Sequence, residues 1–204
     1  MSILIEQHLP PEYRVPRIGM EHQRRDALVR AAIAEIASTG ARDVTVAGIA
    51  RRAGMSPALA HHYFGSKDRM LLAAMRRILS DFRAEARRAG ADAGTPRARL
   101  DAIVRASFSP ANFAPEVVGA WLDFYVQAHH DAETRRLLHV YHARLRSNLV
   151  HALRPLAAEP EALAEGIGAL IDGLYMRQAL RRRELATERS VALVTDYIDR
   201  GLRA

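Results

Sequence analysis

Three hydroxyls at helix-capping positions, two adjacent histidines, a tyrosine and the only lysine of the chain fall in one stretch. It runs from Thr45 to Leu71 as TVAGIARRAGMSPALAHHYFGSKDRML. Groups of these types donate hydrogen bonds and positive charge, which is what an extended polyanion needs from a protein surface. Their spacing supplies the frame. Thr45 can cap a helix over 46–53, and Gly54 supplies the left-handed residue that ends it. Ser56 caps the next helix and Pro57 takes its first position, where a missing N–H costs nothing. Ile49, Ala53, Met55, Ala60 and Tyr63 fall where two steeply crossing helices touch, and Ala50 is small at their closest approach. That pattern is a helix-turn-helix, whose second helix enters the major groove of DNA. The plain alternative is an ordinary helical hairpin in a bundle. Two caps, a glycine, a first-turn proline and a basic residue opening a third helix together favour the DNA reader.

Base edges would be read from the second helix of the pair. Its candidates are Pro57, Ala58, Leu59, His61 and His62, with Ser56 at the cap. So apolar a reader points to thymine methyls and DNA shape. Phosphates set the register. Thr45 and the free N–H groups beside it can hold one phosphate. Lys67 can hold another, with Tyr63 nearby. Arg24 and Arg25 open the first helix, and Arg51 and Arg52 close the second. Each arginine taken singly suits a solvated surface charge equally well. His61 and His62 point about 100° apart on a helix and do not easily share a metal. The His129-His130 and His139/His142 pairs offer no better ligand set, so no metal and no cofactor is expected.

A second group lies further along the chain. Trp121, Phe124 and Tyr125 place three aromatics close together, and Trp121 and Tyr125 share a helix face. Asp172 and Tyr175 are likewise neighbours, with Asp172 interrupting an apolar run. Aromatic faces with a carboxylate are the parts of a cage for an organic cation. Asp123 is a weaker carboxylate candidate. The competing reading makes Trp121 and Phe124 core, with Asp172 facing solvent or a dimer contact.

The elements that must position these groups are helical. The chain has 204 residues, 49% of them apolar, enough for one domain or two small ones. Long 3.6-residue periodicities dominate and alternating runs are few, which predicts an all-α class. A first helix is expected over 21–39, with Val29, Ile33, Ile36 and Ala37 inward and Gly40 at its end. Ser66 caps a fourth helix running to about 89, whose inner face is Leu71, Met75, Ile78, Leu79 and Phe82. The break GADAGT at 90–95 reads as a linker. Further helices are expected over 96–107, 116–129, 131–154 and 160–182. Thr187 opens a last one carrying Val191, Val194, Ile198 and Leu202. This divides the chain into a loose extension (1–20), a DNA-binding head (21–89) and a helical body (90–204). Residues 1–15 lack the apolar core of a signal peptide and are expected to be loosely ordered.

The formal charge is +7, which suits a polyanionic partner. With no cysteine there are no disulfides, thiolate metal sites or cysteine nucleophiles. There is no glycine-rich phosphate loop and no nucleophile–base pair, so the chain does not read as an enzyme. No apolar run approaches a membrane span, and a cytoplasmic, nucleoid-associated protein is expected.

The three-helix head with its reader third, followed by about six more helices, resembles the TetR family of repressors. More narrowly it is similar to the choline-responsive repressors of glycine betaine synthesis. The segments carrying that likeness are PRIGMEHQRR (16–25), SPALAHHYFGSKDRML (56–71), AWLDFYVQAHHD (120–131), RLRSNL (144–149), ALIDGLYMRQAL (169–180) and TDYIDRGL (195–202). One departure from the broad family, His61-His62-Tyr63-Phe64 at the end of the reader, also fits that subfamily. The resemblance implies a homodimer paired through the eighth and ninth helices and an operator that is an inverted repeat. It implies choline or a related quaternary ammonium as effector, held by Trp121, Phe124, Tyr125, Asp172 and Tyr175. A different small hydrophobic or cationic effector is the alternative. Charged substitutions at Ile167 or Ile198 are expected to break the dimer or the fold.

Overall fold

Five helix starts follow caps written in the sequence. The computed structural model describes residues 17–39, 43–180 and 186–203. Among them are nine helices and no strand: α1 (Arg17–Thr39), α2 (Val46–Arg52), α3 (Pro57–Phe64), α4 (Lys67–Ala91), α5 (Pro96–Ser107), α6 (Pro115–His130), α7 (Ala132–Leu153), α8 (Pro160–Leu180) and α9 (Thr187–Gly201). Thr45 Oγ1 accepts the Gly48 N–H at 2.9 Å, and Ser56 Oγ accepts that of Leu59 at 3.2 Å. Ser66, Thr95 and Asp131 cap α4, α5 and α7 in the same way. Each such cap contributes about 1 kcal/mol over alanine. Gly54 closes the turn after α2 at φ 67°, where a Cβ costs about 1–2 kcal/mol.

Two boundaries differ from the sequence reading. α1 begins at Arg17 rather than residue 21; its first residues, Arg-Ile-Gly-Met, include no Ser, Thr, Asp or Asn that would have marked the start in the sequence. α4 continues through Gly90 to Ala91, so the break between head and body lies at 92–95. The alanines flanking Gly90 are strong helix formers and carry the helix across it. Residues 1–15, Gly40, the side chain of Ala37 and the expected end of α8 near Arg182 lie outside the described residues.

The head folds around Leu28, Ile49, Ala50, Ala60 and Phe64, all buried. Ala53, Met55 and Tyr63 pack half-buried against that core, as the crossing of α2 and α3 requires. α1 rests on α2, on α4 and also on α6. Arg77 reaches from α4 to Asp26 on α1 at 2.6 Å. Head and body therefore share one continuous core, which runs from Leu28 to Ile198.

Glu35 on α1 is the head's buried carboxylate, 6% exposed, and Arg52 Nε meets it at 2.7 Å. A second Arg52 nitrogen donates to Ser38 Oγ at 2.9 Å. Arg52 thus ties α2 to α1. Replacing it with alanine leaves a buried acid without its partner. Removing one member of a fully buried pair costs roughly 3–5 kcal/mol. The Arg52 side chain is 41% exposed, so water offsets part of that. Arg52→Ala should therefore destabilise the protein by about 2–3 kcal/mol in chemical denaturation. A loss within experimental error would show the pair to be unimportant to the fold.

α8 and α9 pack closely, since a Cβ at Gly166 would overlap the Tyr197 hydroxyl. Ile167 and Ile198 are 0% exposed within the single chain. This corrects their use as interface probes: they belong to the subunit core, and a charge there would unfold it. The large apolar side chains that α8 and α9 expose are Met176, Leu180, Leu193 and Tyr197.

Candidate DNA-binding head and effector site

On α3, Pro57, Ala58, His61 and His62 are exposed, while Leu59 and Tyr63 are half-buried. The capping oxygens of Thr45 and Ser56 accept backbone N–H groups. Each hydroxyl proton remains available to donate to a phosphate. Lys67 opens α4 immediately after the Ser66 cap. Arg51 is exposed and Arg24 half-exposed. Arg25 is committed to the head itself: it donates to the Tyr63 carbonyl at 2.8 Å and stacks over Phe64 at 4.8 Å. It holds the C-terminal end of α3 against α1. His61 Nδ1 lies 3.2 Å from the Gly65 carbonyl, and the His62 ring meets Tyr63 edge-on at 5.5 Å. Those contacts orient both imidazoles. Among the described residues no group of three or more His, Cys, Asp or Glu could hold a metal ion.

The second site forms where α6, α7 and α8 pack together. α6 supplies Trp121, Phe124 and Tyr125, and α8 supplies Asp172 and Tyr175. The Trp121 ring centre lies 5.7 Å from Tyr125 and 5.9 Å from Tyr175. Phe124, fully buried, meets Trp121 edge-on at 5.8 Å. Burial and, beyond it, the Asp172 carboxylate acting electrostatically raise the pKa of the Tyr125 phenol. The Tyr175 hydroxyl faces the Asn112 carbonyl at 3.0 Å and also the Ser107 carbonyl, which fixes its ring. Aromatic rings and one half-buried carboxylate therefore share one packed cluster, although they come from separate stretches of sequence.

Two further residues join that cluster from α7. Tyr141 lies closest of all to Trp121, at 4.7 Å, and His142 Nε2 lies 3.1 Å from Asp172 Oδ2. That approach is out of line for a hydrogen bond, and Nε2 has no other partner. His142 also stacks on Tyr125 at 6.5 Å. Sequence reasoning weighed His142 only as a metal ligand and passed over Tyr141. The available signal was that they follow Leu137 and Leu138 by one turn, on the inward side of α7.

Burial raises the phenol pKa of Tyr125, Tyr141 and Tyr175 above the usual value near 10, and the charge on Asp172 adds to the effect. All three are neutral donors at any physiological pH. The unfolded phenols ionise near pH 10 while the folded ones resist. Stability from these groups is therefore complete below about pH 10 and is lost as pH rises beyond it. In an alkaline titration their phenolate absorbance should appear together with loss of helical circular dichroism. Phenolate formation by all three near pH 10 with the helices intact would contradict this.

A cavity of about 580 Å³ opens nearby between α4, α5 and α7. Tyr141 forms part of its wall, but Trp121, Tyr125, Asp172 and Tyr175 do not.

A helix-turn-helix carried on a helical body is the architecture of a DNA-binding regulator. Residues 28–74 match the bacterial regulatory proteins of the tetR family, and residues 96–203 match the C-terminal family of BetI-type transcriptional repressors. The chain is 51% identical over 192 residues to the HTH-type transcriptional regulator BetI of Rhizobium meliloti strain 1021, covering 93% of this chain and 95% of the relative. It is 50% identical to the BetI regulator of Agrobacterium fabrum strain C58, covering 93% of each. A putative transcriptional regulator from Pseudomonas aeruginosa PAO1 superposes with a TM-score of 0.76 at 27% identity over 94% of both chains. One from Saccharomonospora viridis, solved in complex with choline, superposes at 0.80 with 22% identity, over 87% of this chain and 96% of that one. The chain belongs to the TetR family and, within it, to the BetI-type transcriptional repressors. No helix among the described residues is long and apolar enough to cross a membrane.

Proposed function

We infer that this repressor controls genes for the conversion of choline to glycine betaine, and that choline or a related quaternary ammonium releases it from DNA. The observation that carries this reading is the recess of Trp121, Tyr125, Tyr141 and Tyr175 around one carboxylate, Asp172. A quaternary ammonium donates no hydrogen bond. Aromatic faces and a nearby negative charge are what can hold it. The choline complex of the Saccharomonospora viridis regulator lends support, since it shares the fold. The test is operator binding with and without choline, betaine aldehyde and glycine betaine. Release by choline at saturable concentrations is expected; indifference to all three would exclude the reading.

Two chains pair through the exposed apolar faces of α8 and α9. The two α3 helices then stand roughly 34–36 Å apart, one turn of DNA, and the operator is an inverted repeat. Thr45, Lys67 and Tyr63 hold phosphates, and Pro57, Ala58, Leu59, His61 and His62 face the bases. Because phosphate contacts release counterions, log affinity falls linearly with log salt. Lys67→Ala should weaken every sequence alike and make that slope shallower, by close to one ion per head. His61→Ala should instead change the preference among operator variants. An unchanged salt slope in Lys67→Ala would remove Lys67 from the interface.

A further inference from the structure

The reader helix α3 presents little that can hydrogen-bond a base. Of its exposed residues, Pro57 and Ala58 carry no polar side-chain atom, which leaves the imidazoles of His61 and His62. The two rings are not equivalent. His62 meets Tyr63 edge-on at 5.5 Å, a contact that does not choose which ring nitrogen carries the proton. His61 Nδ1 lies 3.2 Å from the Gly65 carbonyl. A carbonyl oxygen only accepts, so Nδ1 carries the hydrogen. Gly65 is itself held in place. Its N–H donates to the His61 carbonyl at 2.7 Å, and its backbone sits at φ 77°, where glycine is at ease. With Nδ1 so committed, the neutral ring has one tautomer, and its Nε2 is an acceptor.

That acceptor differs from the other polar groups the head offers to DNA. Thr45 and Ser56 have hydroxyl protons to give, and Lys67, Arg24 and Arg51 are donors only. Donors suit phosphate oxygens, which only accept. The Nε2 lone pair of neutral His61 is repelled by a phosphate, and equally by the O6 and N7 acceptors of guanine. The groups that donate in the major groove are the amino groups, N6 of adenine and N4 of cytosine. The geometry points to His61 as a specificity-determining residue that accepts a hydrogen bond from one such amino group in each half-site. This role rests on the placement of α3 in the major groove inferred above, and it names the chemical group that is read there.

The test uses the full-length protein at about pH 8, where an imidazole is ordinarily neutral. Binding sites are selected from random duplex DNA with wild type, with His61→Ala and with His61→Phe, which keeps a ring without nitrogen. The base pair whose preference both variants lose is the one His61 reads. In the selected site the adenine or cytosine of that pair is then replaced, in both half-sites, by its analogue without the amino group. These analogues are deoxynebularine for adenine and the 2-pyrimidinone deoxynucleoside for cytosine. Wild type should lose at least about tenfold in affinity. The two variants should bind both duplexes within about twofold, and comparing the proteins cancels the weakening of the base pair itself. Both variants should keep wild-type affinity for random DNA. The proposal alone is overturned if a preference is lost but wild type binds the amino-free duplex as well as the parent. It is likewise overturned if all three proteins weaken by the same factor, or if the lost preference is for guanine on either strand without dependence on the amino group. If neither variant changes the selected sequence at any position, the placement of His61 against the bases fails with it.

Discussion

In Asp172→Asn, choline affinity is expected to fall about 10- to 100-fold, while its neutral isostere 3,3-dimethylbutanol changes by less than about twofold. Only the cation uses the carboxylate charge. Asparagine has nearly the same size and shape as aspartate, so the substitution removes the charge with little change in packing. At an effective dielectric near 20, unit charges about 4 Å apart attract by about 4 kcal/mol, and desolvation removes part of this. The companion Trp121→Phe removes the indole but keeps the space filled. It should weaken choline by a further ~0.5–2 kcal/mol. Trp121 is the only tryptophan, so a choline-dependent change in the wild-type emission would report on this position alone. If both ligands weaken equally in Asp172→Asn, Asp172 is a structural residue and the cation's counter-charge lies elsewhere.

Leu180→Asp combined with Leu193→Asp should give folded monomers whose operator affinity is down by at least about 100-fold, because one head keeps half of the phosphate contacts. Leu180 is 72% exposed and Leu193 44% exposed on the isolated chain, so charges there cost the subunit little. Ile167→Asp, at a fully buried position, should instead unfold it. Light scattering and circular dichroism separate the two outcomes. A double variant that remained dimeric would place the interface away from α8 and α9.

The head was the most legible part of the chain. Its caps, glycine and proline act locally, and local chemistry is written in order along the sequence. Thr45, Ser56 and Gly54 play the expected backbone roles. What could not be read was which charged side chains the fold would claim. Arg25 and Arg51 look alike in sequence, yet α1 brings Arg25 to Tyr63 and Phe64. The aromatic recess was half legible. Trp121, Tyr125, Asp172 and Tyr175 announced themselves by clustering and by a charge in an apolar run. Tyr141 and His142 did not, because they sit among the polar residues of α7 and meet Trp121 and Asp172 only through packing across three helices. Ile167 and Ile198 show the same limit from the other side. Periodicity marks a face as apolar without saying whether the chain itself or a second copy covers it.

Because α1 rests on α6, the helix that carries Trp121, the head cannot retilt without sliding on a wall of the recess. Were an effector to bind beside Trp121, occupancy of the two sites would be linked, and linkage runs both ways. Whatever factor an effector takes from operator affinity, a bound operator takes from effector affinity. Promoters would thus set their own threshold. A cell holding many copies of the operator would need a higher effector concentration for half-release than a cell holding one. The dose–response of the system would depend on gene dosage as well as on the chemistry of the recess.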